Sequence, residues 1–393
     1  MSKKYFYGKH FIDDDDVQSV IRILKSDWLT QGPVVSSFEN SLNRKFGSKY
    51  STAVSSGTAA PHLAALSLGL KRNDVVLTSP LTFVASSNCI LYTGATPDFV
   101  DIHPVSYTID VEKLEDKLKK YKRRRKNVKA VVAIDYAGHP CEWESLRNLA
   151  DKYNFKLIND NCHALGAKYK GNIKYAVDYA EIVCQSYHPV KHITTGEGGA
   201  VLTNNINYDK KVKMLRTHGI TRIKPDFKSK KSEKNYPWYY EMQELGFNYR
   251  ITDFQCALGI SQLRKLEKFV LKRRKIAAFY NKFFKTDDRF IIPEESRLIE
   301  HSYHIYPLQI LFDKIKISKI NFFKKLAQKN IFCQVHYIPV HLQPYYKENL
   351  GFKERDFPVS EKFYKNEVSL PVYFNLENEE LTYIAESVFN SIS

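Results

Sequence analysis

Short apolar runs of strand length alternate with amphipathic helical stretches along roughly the first 210 residues of this 393-residue chain. Strands of a parallel sheet are covered by helices on both faces, so they appear in a sequence as nearly continuous apolar runs. The alternation therefore predicts an α/β fold with a mainly parallel sheet between helices. The predicted strands are VVLTS (75–79), PDFVDI (97–102), KAVVAIDY (129–136), FKLIND (155–160), EIVCQSY (181–187) and GAVLTNN (199–205).

Two later stretches depart from this alternation. Residues 221–245 are polar and basic and then aromatic, which predicts a long surface loop of the kind that is often functional in enzymes. Residues 252–284 read as one long helical segment that leads into a region mixing helices with strands. We expect a large domain over residues 1–265, N-terminal segment included, and a smaller C-terminal α/β domain over residues 266–393.

Composition narrows the class of protein. No stretch approaches the roughly 18–20 consecutive apolar residues that span a membrane, and the N-terminal MSKKYFYGKHFIDDDD lacks the apolar run of a secretory signal. The six cysteines are scattered without a CxxC pair, which is typical of reduced thiols. We therefore expect a cytoplasmic protein.

The formal net charge of +17 raises the question of nucleic-acid binding. The densest basic run, KLKKYKRRRKNVK (117–129), follows an amphipathic helical stretch and leads into an apolar strand, which indicates a solvated helix end and loop. Aromatic residues are not interleaved with this run as a single-strand binder requires. We expect no nucleic-acid partner. A basic surface also attracts a dianionic molecule such as a nucleotide sugar.

Two short motifs are candidates for ligand binding. The first is SSGT (55–58) before a predicted helix, where free backbone N–H groups and flanking hydroxyls can bind an anion; the alternative is a plain helix N-cap. The second is Asp160 at the carboxyl end of the strand FKLIND, where ligands bind in open α/β sheets. Such a carboxylate can pair with a protonated pyridine nitrogen, and His163 can contact the same ring. The alternative is that Asp160 caps a helix and His163 is a packing residue.

The third motif is SYHPVKHITTGEGG (186–199), which places Lys191 in a loop after a buried strand. Lysine is seldom buried without a purpose, and desolvation or nearby cations free its amine for Schiff-base formation by lowering its pKa. Ser186 can reach a phosphate beside it, and the glycines permit a tight return into the strand AVLTNN. The length and order of the segment indicate a cofactor lysine.

The string SYHPVKHITTGEGGAVLTNN closely resembles the lysine motif of the DegT/StrS-type sugar aminotransferases, a branch of the fold-type I enzymes that use pyridoxal 5′-phosphate (PLP). Further blocks match in the same order, so that the resemblance covers nearly the whole chain: SSGTAAPHLAALSLGL, SPLTFVASSNCILYTGATPDFVDI, LINDNCHALGA and GFNYRITDFQCALGISQLRKLE. The resemblance implies the fold-type I architecture, with PLP bound by the large domain.

The resemblance also assigns roles to individual residues. Asn248 matches a residue that, in the family, reaches the cofactor phosphate from the neighbouring subunit, which implies a homodimer with shared active sites. The assignments within one subunit are Lys191 to the Schiff base, Asp160 to the pyridine nitrogen, His163 to the hydroxyl side of the ring, Phe83 to the ring face, and Gly57, Thr58 and Ser186 to the phosphate.

The segments HPVKHITTGEGG, PWYYEMQELGFNYR and CQVHYIPVHLQPYY are most similar to the branch that acts in pseudaminic acid biosynthesis. This similarity implies amino transfer from L-glutamate to C4 of a UDP-linked 4-keto-6-deoxy-N-acetylhexosamine, giving UDP-4-amino-4,6-dideoxy-N-acetyl-β-L-altrosamine. The chain departs from the family at Asn159 and Asn161, which leaves Asp160 in place but makes its surroundings uncertain.

Other functions remain open from the sequence. They are amination of another nucleotide-linked keto sugar (dTDP- or UDP-linked, at C3 or C4) and a non-catalytic role within the family. Related dehydratases carry histidine in place of the lysine, and a nucleotide-binding oxidoreductase would need a GxGxxG turn that is missing here. Candidates for substrate contact are the DWLTQGP segment, the 221–245 loop, His336, Tyr337 and His341. We expect no metal site, because His336 and His341 have no third ligand in the sequence pattern.

Overall fold

The computed structural model describes residues 3–230 and 232–392. The start of the N-terminal MSKK segment and residue 231 of the 221–245 loop lie outside the described residues. No helix in the described part of the chain is long and apolar enough to cross a membrane.

Helices and short strands alternate along the described residues. The helices are α1 (Asp14–Leu24), α2 (Pro33–Phe46), α3 (Ala59–Ser67), α4 (Ala85–Leu91), α5 (Val111–Arg123), α6 (Trp143–Tyr153), α7 (Tyr175–Tyr179), α8 (Ile206–Arg216), α9 (Asp253–Arg264), α10 (Leu266–Phe284), α11 (Lys319–Gln328), α12 (Pro344–Leu350), α13 (Pro358–Asn366) and α14 (Asn378–Ser391). The strands are β1 (Tyr5–Phe6), β2 (Tyr50–Val54), β3 (Val75–Thr78), β4 (Thr96–Phe99), β5 (Val128–Ile134), β6 (Lys156–Asp160), β7 (Lys168–Tyr169), β8 (Ile182–Ser186), β9 (Gly199–Thr203), β10 (Ile220–Thr221), β11 (Glu241–Met242), β12 (Phe290–Ile291), β13 (Ile299–Glu300), β14 (Tyr306–Ile310), β15 (Ile331–Phe332) and β16 (Glu367–Leu370).

The central element is a seven-stranded sheet with the order β2-β9-β8-β6-β5-β3-β4. Its strands pair in parallel from β8 across to β4, and only β9 runs antiparallel to its two neighbours. All six predicted strands belong to this sheet, so the predicted α/β class with a mainly parallel sheet is confirmed. Two hydrophobic cores cover its faces, one containing Phe38, Trp143 and Tyr187 and the other containing Leu63 and Ile90.

The predicted long helical segment is two helices. α9 ends at Arg264, and α10 begins at Leu266 after Lys265, whose amine forms ion pairs with Asp13 and Asp16 (3.0 Å to Asp16). α10 starts in the core of the large sheet and ends in a second core built on the small sheet β12-β14-β16. The domain boundary between residues 265 and 266 stays a prediction.

The N-terminal segment contacts both the large-sheet part and the C-terminal part of the chain. β1 pairs in parallel with β15, while α1 packs against α9. The loop over residues 221–245 is largely exposed, and the short antiparallel pair of β10 and β11 closes its base. The N-terminal segment therefore contacts both the C-terminal part of the chain and a helix that packs on the large sheet.

Candidate active site

Two neighbouring strands of the central sheet end in polar residues. Asp160 is the last residue of β6 and Ser186 the last of β8, and the two strands pair directly, with Asp160 opposite Cys184. Both polar side chains are buried. The carboxyl ends of parallel strands are where open α/β sheets bind ligands. The sheet therefore places Asp160 and Ser186 on neighbouring strands at its carboxyl edge, where the sequence predicts ligand binding.

Asp160 is held by two hydrogen bonds. Its Oδ2 accepts from the Ser86 hydroxyl (2.5 Å), and its Oδ1 accepts from the backbone N–H of Cys162 (3.2 Å). The neighbouring asparagines do not contact the carboxylate, because successive side chains of a strand point to opposite faces. Asn161 instead donates to Asp135 (3.0 Å). The surroundings of Asp160, which the sequence left uncertain, are thus supplied by α4 and the turn after β6.

Lys191 lies in the loop between β8 and β9. Burial lowers the pKa of its amine, and the buried Arg273 guanidinium lowers it further, while the Cys162 thiol and Asp160 act in the opposite direction. The Arg273 guanidinium donates to the backbone carbonyls of Tyr303, His304 and Val372 at 2.8–3.1 Å. It forms no ion pair among the described residues, so its charge is not neutralised by a carboxylate. Such a setting favours the neutral, nucleophilic amine.

Neutral histidines surround the lysine. The Nε2 atom of His304 lies 3.4 Å from Lys191 Nζ. His163 packs against the His304 ring (centroids 4.4 Å apart), accepts from the Ala137 N–H at Nδ1, and pairs with the Tyr337 hydroxyl (3.0 Å) at Nε2. Burial lowers the pKa of His163 and His304 well below the ordinary value, so both rings are neutral. His304 was not found from the sequence, and only its position before an apolar strand marks it.

Gly57 lies against Ser186 in a way that leaves no room for a side chain. A Cβ atom on Gly57 would contact the Ser186 hydroxyl and lie 2.7 Å from Ser186 Cβ. Ser56 accepts from the N–H of Ala59 (3.2 Å), as an N-cap does, whereas the exposed Thr58 makes no capping bond to α3. The turn thus combines a cap with a free hydroxyl and a close approach to the end of β8, which suits an anion.

Two predicted cofactor residues are exposed. The Phe83 ring is 54% exposed, and its centroid lies 6.0 Å from that of the Tyr337 ring. The Asn248 side chain is exposed and forms no hydrogen bond within the described residues. The roles predicted for these residues stay predictions.

The two C-terminal histidines face different partners. His336 Nδ1 contacts the Ser369 hydroxyl (2.8 Å), whereas His341 Nε2 pairs with Glu361 (3.1 Å). In the described ranges no group of three or more His, Cys, Asp or Glu side chains is placed to hold a metal ion. All six cysteines are free thiols.

The residues at this sheet edge fit PLP. The donor set combines a lysine of lowered pKa, a carboxylate for a pyridine nitrogen, and a glycine turn with hydroxyls for a phosphate. The close approach of Gly57 to Ser186 brings the backbone of the turn to the end of β8, because a side chain at position 57 would hold the two apart. Fold and site together define a PLP-dependent enzyme of the fold-type I class.

Comparison with known proteins places the chain within that class. It matches the DegT/DnrJ/EryC1/StrS aminotransferase family over residues 10–389 and belongs to this family. It is 38% identical to the UDP-4-amino-4,6-dideoxy-N-acetyl-β-L-altrosamine transaminase of Campylobacter jejuni, covering 98% of this chain and 96% of that one. The protein is a PLP-dependent sugar aminotransferase.

Solved structures agree with the family assignment. Helicobacter pylori PseC, an aminotransferase of pseudaminic acid biosynthesis, superposes with a TM-score of 0.88 at 31% identity, covering 99% of both chains. A Streptococcus pneumoniae protein in its PLP form superposes with a TM-score of 0.85 at 26% identity, covering 99% of this chain and 98% of that one. The cofactor predicted from the sequence is therefore confirmed.

Replacing Gly57 with alanine should weaken PLP binding. The added methyl group would lie 2.7 Å from Ser186 Cβ and would separate the turn from the end of β8. Losing a hydrogen bond to a charged group costs about 1.5–3 kcal/mol, so we expect Kd for PLP to rise roughly 10–100-fold. Equilibrium dialysis of the apoprotein measures this change. Gly171→Ala in the turn after β7 serves as control and should leave Kd unchanged, because the same methyl group meets nothing within 4 Å there. An unchanged Kd in Gly57→Ala would contradict the assignment of this turn to the phosphate.

Proposed function

We propose that the protein transfers the amino group of L-glutamate to C4 of a UDP-linked 4-keto-6-deoxy-N-acetylhexosamine, giving UDP-4-amino-4,6-dideoxy-N-acetyl-β-L-altrosamine. The observation that carries the reaction type is the Lys191 amine, held at the carboxyl edge of the sheet with a lowered pKa. The sugar is proposed from the 38% identity to the Campylobacter jejuni transaminase over nearly the whole of both chains. The net charge of +17 suits a dianionic nucleotide sugar.

PLP, when bound, supplies an electron sink for the charge that develops at the carbon losing a proton. Lys191 holds the cofactor at rest. Once released by the amino donor, its Nζ would take a proton from the α-carbon of L-glutamate and pass it to the cofactor. In the second half-reaction it would take a proton back from the cofactor and deliver it to C4 of the sugar. The neutral His304 at 3.4 Å orients the amine without adding a charge that would repel a proton on it. Positioned proton transfer of this kind contributes about 10²–10⁴-fold.

The cofactor contacts are proposed as follows. Asp160 pairs with the pyridine nitrogen, and Phe83 lies on the ring face. His163 lies at the hydroxyl side of the ring. Its Nδ1 accepts from Ala137, so its Nε2–H donates to the Tyr337 hydroxyl. The Tyr337 O–H can then donate a hydrogen bond to the cofactor on that side. Gly57, Thr58 and Ser186 bind the phosphate.

A homodimer with shared active sites is part of the proposal. Asn248 would reach the phosphate of the partner subunit's cofactor, and its exposed, unbonded side chain within the described residues supports that role. The adjoining loop is also unusually apolar at its surface, with Trp238 70% and Leu245 78% exposed. Exposed apolar surface of this kind marks an interaction site.

An absorption measurement followed by product analysis tests the proposed function. The purified protein with PLP should show the near-visible band of a lysine-bound cofactor, and L-glutamate should bleach it. The bleached enzyme should then regain the band with the UDP-linked 4-keto sugar and yield the 4-amino sugar. Recovery with only a dTDP- or GDP-linked keto sugar would overturn the proposed substrate, and no band at all would overturn the role of Lys191.

A further inference from the structure

Glu367, a buried carboxyl that the proposed chemistry does not use, lies behind the candidate active site. It is the first residue of β16 and is fully buried (0% exposed). Its Oε2 accepts from the backbone N–H of His336 (2.9 Å), and its Oε1 contacts the Ser369 hydroxyl. Ser369 is also fully buried, and its hydroxyl lies between Glu367 Oε1 and His336 Nδ1, at 2.8 Å from the latter. The three side chains form one continuous chain of hydrogen bonds.

His336 connects this chain to the Lys191 pocket. Burial lowers the pKa of His336 to about 3, with a smaller contribution from Lys191, so its ring is neutral. The adjacent Tyr337 hydroxyl contacts His163 (3.0 Å), whose ring packs against His304 beside Lys191. His336 in turn lowers the pKa of His163. The Nε2 atom of His336 has no hydrogen-bond partner among the described residues, and the residue keeps 5% of its surface exposed. Nε2 is therefore the atom that remains for a ligand.

The protonation state of Glu367 decides which ring nitrogen of His336 carries the proton. The His336 backbone N–H can only donate, so Glu367 Oε2 always accepts and any proton on this carboxyl sits on Oε1. A protonated Oε1 donates to Ser369, the hydroxyl then donates to Nδ1, and the proton of the neutral ring is on Nε2. With Glu367 ionised, the hydroxyl donates to Oε1 and accepts from Nδ1–H, and Nε2 presents a lone pair.

The surroundings of Glu367 place this switch near neutral pH. Burial raises the pKa of Glu367 to about 8, with smaller opposite contributions from the Ser369 hydroxyl and the Lys319 amine. Lys319 donates to the Tyr364 carbonyl (2.6 Å), and Glu367 forms no ion pair in the part of the chain that the structure describes. The other titratable groups that face Glu367 are the hydroxyls of Tyr107, Tyr136 and Tyr337 and the Cys333 thiol.

We propose that Glu367 and Ser369 are positioning residues that fix the tautomer of His336, so that with Glu367 protonated His336 donates its Nε2–H to a substrate oxygen beside Lys191. The claim that His336 donates to a substrate oxygen rests on the proposed function. When pH rises through the switch, the Glu367 proton moves to Ser369, the hydroxyl proton moves to Nδ1, and the Nε2 proton leaves through the pocket. This chain of three side chains loses one proton in total. Burial lowers the pKa of the neighbouring Lys319 to about 8, so its amine loses a proton in the same pH range.

Glu367→Gln reproduces the protonated state permanently. The amide oxygen must face the His336 N–H, so the amide NH2 faces Ser369 and donates to it, as a protonated Oε1 does. Ser369→Ala removes the link between the two groups, and Ser369→Thr retains a hydroxyl. Ser387→Ala on α14 is the matched control, because it removes an equally buried hydroxyl from the same part of the chain.

Nitrogen NMR of the holoenzyme labelled at its 12 histidines tests the tautomer directly. The His336 signals are those that disappear in His336→Asn. In the wild type we expect the Nε2–H tautomer at pH 6.5 and the Nδ1–H tautomer at pH 9.5. Glu367→Gln should keep Nε2–H throughout, Ser369→Ala should lose the pH response, and Ser369→Thr and Ser387→Ala should keep it. A wild-type tautomer that does not change between these pH values would overturn the proposal, whether or not the enzyme aminates a sugar.

Steady-state kinetics test the link to the substrate. Leaving a buried hydrogen-bonding group unpaired costs about 1–3 kcal/mol, so the wild-type KM for at least one substrate should rise about tenfold between pH 7 and pH 9. Glu367→Gln should remove that rise, so that its KM is the same at pH 7 and pH 9. If the tautomer switches but KM changes equally in both proteins, His336 does not contact the substrate and that half of the proposal is wrong.

Discussion

Replacing Lys191 with alanine should reduce turnover to the background of the uncatalysed reaction. In the proposed mechanism the lysine both holds the cofactor and moves the proton in each half-reaction. Its Nζ has a lowered pKa because of burial, with a further contribution from the charge of Arg273. The other nitrogen base that the structure places next to it, His304, has its pKa lowered well below the ordinary value and is a poor proton acceptor. The loss in kcat should therefore exceed the roughly 10²–10⁴-fold typical of a single proton-transfer group. Product formation over many turnovers measures it.

A matched lysine variant separates this effect from a general loss of positive charge. Lys168→Ala removes a partly exposed lysine of β7 that pairs with Glu300 (3.0 Å), and it should leave kcat unchanged. The near-visible band of the lysine-bound cofactor should be present in Lys168→Ala and missing in Lys191→Ala. Multiple turnovers by purified Lys191→Ala would contradict the assignment of Lys191.

The strands were predictable where burial on both faces leaves a continuous apolar run. β2 was not, because YSTAV carries hydroxyls that are satisfied at long range: Thr52 donates to Asp209 (2.9 Å) on α8. The break between α9 and α10 was missed for a similar reason. Lys265 at the break is held by carboxylates about 250 positions earlier in the chain, and no local pattern carries that information.

The candidate site likewise contains some residues that could be predicted from the sequence and others that could not. Lys191 and Asp160 were predictable because each follows an apolar strand, and the carboxyl ends of neighbouring parallel strands meet at one edge. His304 and Arg273 come from the C-terminal part of the chain and reach Lys191 only through the packing of α10 against the turn before β14. In the sequence Arg273 stands among other basic residues, and only the position of His304 before an apolar strand marks it.

Replacing Asp160 with asparagine should cost most of the rate while keeping the fold. Oδ1 faces the fixed N–H of Cys162, so the amide oxygen must take that position and the NH2 group must face Ser86. The amide then has no charge with which to hold a pyridine nitrogen protonated, and the cofactor becomes a weaker electron sink. Removing a preorganised electrostatic group costs on the order of 10²–10³-fold in kcat, and we expect a loss of that size.

The control for Asp160→Asn is another buried aspartate outside the site. Asp209→Asn weakens a buried hydrogen bond from Thr52 and an ion pair with Lys213 (2.7 Å), so it should lower the free energy of unfolding but not kcat. Asp160→Asn should show the reverse, since Ser86 can rotate its hydroxyl to accept from the new NH2 group. A kcat that falls in proportion to stability in both variants would mean that Asp160 only caps the turn after β6. A loss confined to Asp160→Asn separates the electrostatic role from that local structural one, because both substitutions remove one buried charge.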